Sequence, residues 1–126
     1  MGMRTNFVIH KGMRVCVLDF TSVPDEATAI AAIAEAKQVI SREPPKSVYT
    51  LTDVTGSRVT PTIRAALVDL TKANAPYVLA GAVVGATTIQ MIILRGIVQI
   101  TGRRLFPVAS REIAFERLAV EAAGHH

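Results

Sequence analysis

Two apolar runs, residues 7–10 and 13–20, flank Lys11-Gly12, where glycine supplies the positive φ of a tight hairpin. Along residues 15–20 both alternating faces are apolar except at Asp19, which marks a central strand covered on both sides. Ser22-Val23-Pro24-Asp25 reads as a capping-box-like helix start with proline near the first turn. That helix runs to about residue 42, with Ile30, Ile33 and Ile40 on one side, and Pro44-Pro45 stops it. A β-rich run at 47–52 follows. Thr60 then caps a second helix with Pro61 in its first position and Ile63, Leu67 and Leu70 at helical spacing.

Residues 77–84 form a third crossover strand, apolar throughout. Thr87 or Thr88 opens a third helix to about residue 101, residues 104–108 form a short last strand, and Ser110 caps a final helix. The predicted order is ββαβαβαβα. Strands alternating with helices imply an α/β fold with a mostly parallel sheet, and the initial hairpin adds one antiparallel edge. Residues 77–100 have nearly the length and hydrophobicity of a membrane span. Gly81, Gly85, Thr87 and Thr88 divide them, and Arg95 and Gln99 interrupt the second half, so strand–turn–helix is the better reading. Residues 1–123 read as one domain.

The third helix is unusually apolar. At about 100° per residue, Thr88, Arg95 and Gln99 share a narrow polar strip, and Ile89, Ile92, Ile93, Ile97 and Ile100 form the predicted core-facing side. Met91, Leu94 and Val98 extend the apolar arc beyond what a surface helix normally buries. Each such side chain left in water forgoes about 1.5–3 kcal/mol of burial. A subunit, a membrane surface, an apolar ligand or a neighbouring element of the same fold is expected to cover the excess.

Half of the 126 residues are hydrophobic, enough for a core without metals or disulfides. The absence of tryptophan and the scarcity of other aromatics argue against a base-stacking surface for nucleic acid. The net charge of +4 is modest, but its distribution is uneven. Between Asp69 and Glu112 there is no acidic residue, whereas Lys72, Arg95, Arg103, Arg104 and Arg111 fall there or at its edge. Such a field favours phosphate, anionic lipid or an acidic protein, unless it is simply a solvated basic surface.

Cys16, the single cysteine, lies in the apolar run MRVCVLDF and reads as a buried, inert thiol. Residues 7–9 are too short for a signal-peptide core, and Asn6 breaks the myristoylation pattern that Gly2 would begin, so a cytoplasmic protein is expected. Gly124-His125-His126 has the character of a purification-tag remnant and is set aside from metal reasoning.

Most chemistry is excluded by what is missing. His10 is the one histidine outside the terminal pair and has no spaced partner, which argues against a metal site or a nucleophile–base pair. The run Gly81-Ala-Val-Val-Gly85 sits where backbone amides can meet a phosphate, but it lacks the lysine and loop length of a P-loop, so close packing explains its glycines better. Asp19 and Asp53 lie near strand ends and suggest acid–base work or an acidic cation pocket like that of receiver domains. The receiver pattern also needs a lysine after its last strand, where this chain has Phe106-Pro107-Val108-Ala109. Asp53 is better read as a turn or cap residue. No catalytic residue, cofactor or metal is expected; an enzyme using Asp53 with Arg58 is the remote alternative.

The loop LTDVTG at 51–56, the tail AVVGATTIQMIILRGIVQITGRRLFPVASREIAFERL at 82–118 and the strand–helix order together resemble the SpoIIAA-like branch of the STAS superfamily. The resemblance implies a compact α/β domain without enzymatic activity. Members with a signalling role are anti-anti-sigma switches, phosphorylated by a partner kinase on a Ser or Thr before the helix that follows the third strand. The matching region here is residues 55–60, so Thr60, Ser57 and Thr55 are the phosphoacceptor candidates. Val59-Thr60-Pro61-Thr62 stands where the family has an Asp-Ser-Ser-Gly-like run, and Thr60 also serves as an ordinary N-cap. The branch is similar in architecture to CRAL-TRIO lipid-transfer domains, whose helices move to admit an apolar ligand or touch a membrane.

These readings converge on a non-catalytic regulatory or binding module. Met91, Leu94 and Val98 are the expected partner- or lipid-binding residues, with Arg95, Arg103 and Arg104 as anionic contacts. A homodimer, a protein partner such as a kinase or regulator, and a lipid or anionic membrane surface are the expected partners, and nucleic acid is not. Peripheral membrane association fits the same pattern.

Overall fold

A computed structural model describes residues 4–102 and 104–124. Arg103, Gly2 and the terminal His125-His126 lie outside the described residues. The chain forms β1 (Thr5–His10), β2 (Met13–Asp19), α1 (Glu26–Ser41), β3 (Val48–Asp53), α2 (Pro61–Asn74), β4 (Val78–Val84), α3 (Thr88–Thr101), β5 (Leu105–Val108) and α4 (Arg111–Ala123). This is the ββαβαβαβα order. One five-stranded sheet runs β1-β2-β3-β4-β5, antiparallel at β1–β2 and parallel elsewhere.

The hairpin turns on Lys11 and Gly12 alone, with φ of 50° and 79°; both central residues are left-handed, as a two-residue loop matching the strand twist requires. The start of α1 differs from expectation. Asp25, not Ser22, is the N-cap, its carboxylate accepting the Thr28 amide at 2.7 Å. Ser22 instead takes a positive φ of 48° in the preceding turn.

Because each strand lies beside its predecessor in sequence, every parallel crossover runs in the same direction. Right-handed crossovers then put their helices on one face of the sheet. Cys16, Leu18 and Val48 accordingly pack with Ala32, Ile33, Ala36 and Ile40 of α1 and Ile63 and Leu70 of α2. Helix α3 meets the same face near its far edge, where Ile97 is buried. Helix α4 is not a crossover and covers the opposite face, where Ala114 and Leu118 pack on Val15, Val17, Tyr49, Leu51, Ala80 and Ala82. Cys16 is enclosed between the layers. Burial, reinforced by the Glu43 carboxylate, pushes its thiol up to about 12, which keeps it protonated and unreactive at neutral pH.

No helix among the described residues is long and apolar enough to cross a membrane. The 77–100 stretch is a strand, a turn and a helix.

Since α4 alone closes its face, Leu118 has no substitute there. Leu118→Ala is expected to destabilise the fold by about 2–5 kcal/mol, read as a lower urea midpoint with an unchanged slope. A loss below about 1 kcal/mol would contradict this account of the second core.

Candidate functional site

Two regions collect the residues that the sequence singles out: the corner where β2 and β3 end, and the hollow beneath α3.

At the corner, Asp19 and Asp53 are register partners on adjacent parallel strands and face α4. Each closes the same turn. The Asp53 Oδ1 accepts the Thr55 amide at 3.0 Å and the Thr55 hydroxyl at 2.6 Å. The Asp19 Oδ1 likewise accepts the Thr21 amide and hydroxyl. The repeat Asp-Phe-Thr at 19–21 and Asp-Val-Thr at 53–55 is legible in the sequence as the same Asx-type turn, but reading the two aspartates singly misses it.

Arg111, the first residue of α4, donates from Nε to the Asp53 Oδ2 at 2.7 Å and approaches Asp19 at 3.8 Å through Nη2. Arg4 crosses the same turn, donating to the Asp19 and Thr21 carbonyls. Burial by itself would raise the Asp53 carboxyl, but the Thr55 hydroxyl, the Arg111 guanidinium and the Thr55 amide hold it below its ordinary 3.8. Asp19 is also held low: the Thr21 hydroxyl and amide, then Arg111 and Arg4, outweigh its desolvation.

The corner is therefore an anchor. Asp53 is 6% exposed and both its oxygens are engaged, which suits a turn residue better than a general base. Its cationic partner is Arg111. Arg58, the partner weighed from sequence, is exposed and lines a separate cleft between the 56–60 loop and the start of α1.

The three candidate phosphoacceptors all use their hydroxyls internally. Thr55 donates to Asp53, Ser57 to the Val54 carbonyl at 2.8 Å, and Thr60 to the Glu26 Oε1 at 2.6 Å while capping Ile63 N at 3.2 Å. Phosphate on Thr55 or Thr60 would stand against a carboxylate. Gly85 presses on this corner. Its φ is 80°, and a Cβ there would lie 2.0 Å from the Thr55 hydroxyl. Gly81 is held as tightly by Thr50 and Leu105. Close packing accounts for both glycines.

The second region changes the reading of α3. Its exposed apolar row is Ile89, Ile92 and Ile100, at 72%, 63% and 64% exposure, although all three were expected to face the core. Met91 is exposed as expected, but Leu94 and Val98 are half-buried. The inward stripe is Gln90, Ile93, Leu94 and Ile97, which wall a cavity of about 100 Å³ against α2 and the sheet.

Gln90 is the cause. It closes a capping box with Thr87, accepting the Thr87 amide at 2.9 Å while the Thr87 hydroxyl accepts the Gln90 amide. Its side-chain NH₂ donates to the Ser57 carbonyl at 2.9 Å. A polar side chain is thereby tied inward, and the helix is rotated so that isoleucines face out.

Arg95 is exposed on α3 beside the isoleucines. Arg104 is not part of this surface: it pairs with Glu121 of α4, towards the opposite face of the sheet. Arg64, which sequence reading passed over, is exposed on a groove of about 560 Å³ that Val59, Ala65, Val68 and Ile93 also line. Only the packing of α2 beside α3 reveals it.

Among the described residues no group of three or more His, Cys, Asp or Glu could hold a metal ion. His10 stacks on Phe115 of α4 with ring centroids 4.9 Å apart. The chain matches no protein-family model and no curated protein.

The depressed Asp53 pKa fixes a pH dependence. The native carboxylate takes its proton at lower pH than the unfolded chain does. Its stabilisation is therefore complete above the ordinary value of 3.8 and is lost as pH falls through the native value. Asp53→Asn, which leaves Arg111 without its buried partner, should cost about 1–3 kcal/mol at pH 7. The gap to the parent should narrow below pH 3.8 in urea titrations. Equal midpoints at pH 7 would show that the anchor contributes nothing.

Proposed function

We propose that this chain is a non-catalytic binding module that holds an apolar molecule beneath α3 and meets a lipid surface with that helix's outer face. The kinship to STAS and CRAL-TRIO-like domains is part of this proposal. One observation carries it: α3 is apolar on both sides. Ile93, Leu94 and Ile97 wall the cavity, while Ile89, Ile92 and Ile100 stand in solvent. A homodimer or protein contact would account for the outer row alone.

Charge supports the choice of surface. Helix α3 carries no acid, Arg64 lines the groove beside it, Arg95 is exposed on its outer side, and the nearby Asp69 pairs with Lys37. Each cation near an anionic bilayer adds about 1 kcal/mol. The loop phospho-switch is the weaker reading, because the candidate hydroxyls are committed internally and two of them adjoin carboxylates.

Flotation on phosphatidylglycerol-containing vesicles tests it. The parent should float. The Ile89→Glu/Ile92→Glu variant should lose about tenfold or more of its binding with an unchanged circular dichroism spectrum, and Arg64→Gln or Arg95→Gln about fivefold. A parent that ignores vesicles but dimerises through these isoleucines in sedimentation would overturn the lipid reading.

A further inference from the structure

Helix α2 turns one stripe towards the sheet: Ile63, Leu67, Leu70 and Asn74, spaced four, three and four residues apart. The first three are what a core stripe needs. The fourth is an amide, only 5% exposed, on the wall of the cavity beneath α3. Among the described residues no hydrogen bond reaches its side chain. The amide opens onto the cavity without a protein partner, where leucine would complete the stripe at lower cost.

The rest of the wall narrows the choice of partner. No charged side chain among the described residues lines the cavity. A carboxylate or ammonium brought here would be buried without a counter-ion. Of the four other polar liners, the Thr71 hydroxyl is used by the Leu67 carbonyl and Gln90 by Thr87 and Ser57, while Thr50 and Thr52 add neutral hydroxyls from β3. What Asn74 can complement is a neutral group that both donates and accepts, as a hydroxyl does.

Size and outlet supply the remainder. The cavity of about 100 Å³ suits a ligand head and a few carbons. Val59 and Ile93 line both this cavity and the open groove between α2 and α3, so the two spaces adjoin at these side chains and a longer chain would leave past them.

We infer that the cavity beneath α3 binds a neutral amphiphile of the medium-chain alcohol class, its hydroxyl held by the Asn74 amide and its alkyl chain leaving between α2 and α3 past Val59 and Ile93. This rests on the ligand half of the proposed function. It excludes fatty acids as the preferred occupants, because the polar end of the cavity is neutral.

The full chain is titrated with benzene, 1-hexanol, 1-octanol and octanoate at pH 7, followed by amide chemical shifts. Benzene is an apolar probe that reports only whether the cavity takes a guest. The parent should bind 1-octanol saturably, with the Asn74 side-chain NH₂ among the shifted resonances, and octanoate at least about tenfold more weakly. From 1-hexanol to 1-octanol each methylene should tighten binding by up to about fourfold. Asn74→Leu, close in volume, should keep benzene binding and weaken 1-hexanol about tenfold.

Octanoate binding as tightly as 1-octanol, a flat chain-length series, or 1-hexanol binding equally to parent and Asn74→Leu would each overturn the inference while leaving the ligand reading in place. If the parent binds neither benzene nor 1-hexanol, water is the cavity's occupant and the ligand reading itself fails. The parent's comparison of alcohol with carboxylate decides the matter even if Asn74→Leu does not fold.

Discussion

The handedness of the parallel crossovers, combined with a strand order that never reverses, sets the rest of this structure. Each step from β2 to β5 moves one place along the sheet, so α1, α2 and α3 must share a face. Helices α1 and α2 sit over the long central strands. By α3 the sheet has almost ended: β5 has four residues and is the edge strand. A helix of 14 residues over so short an edge overhangs it. The cavity under α3 lies against this edge, where Leu105 of β5 lines it.

The opposite face has one helix, and the orientation of α4 depends on its first residue. Arg111 ties the start of α4 to Asp53 at the end of β3. The two Asp-x-Thr turns hold the carboxylates in place, and Gly85 lets the next turn close against Thr55. The polar ends of the strands, where an α/β protein commonly keeps its ligand site, are here consumed in joining two layers. The binding proposed for this chain falls instead to the apolar hollow between α2, α3 and the sheet. This reverses the emphasis that the polar loop at 53–60 first suggests.

Helix α3 shows how one polar residue can override a hydrophobic pattern. Summed hydropathy places Ile89, Ile92 and Ile100 inward. The rotation is decided by Gln90, whose side chain serves both the capping box and the Ser57 carbonyl. Those bonds satisfy backbone groups that would otherwise be orphaned at the helix start and at the 57–60 loop. Exposed isoleucines are the consequence, and they place the apolar surface beside Arg64 and Arg95.

The sequence by itself determined the elements, their order, the α/β class and the hairpin edge, because caps, prolines, glycines and hydrophobic period are local signals read over a few residues. Thr60 and Ser110 cap the helices they were expected to cap, and Thr87, one of two candidates, caps α3. The stripe Ile63, Leu67, Leu70 was legible for the same reason. What only the tertiary structure decided depends on pairs distant in the chain. Asp53 meets Arg111 across 58 residues, Gln90 meets Ser57 across 33, and Arg104 turns towards Glu121 and away from α3. Asn74 is an unremarkable helix-end residue in the sequence. It becomes a buried amide on a cavity wall only where α2, α3 and the sheet come together.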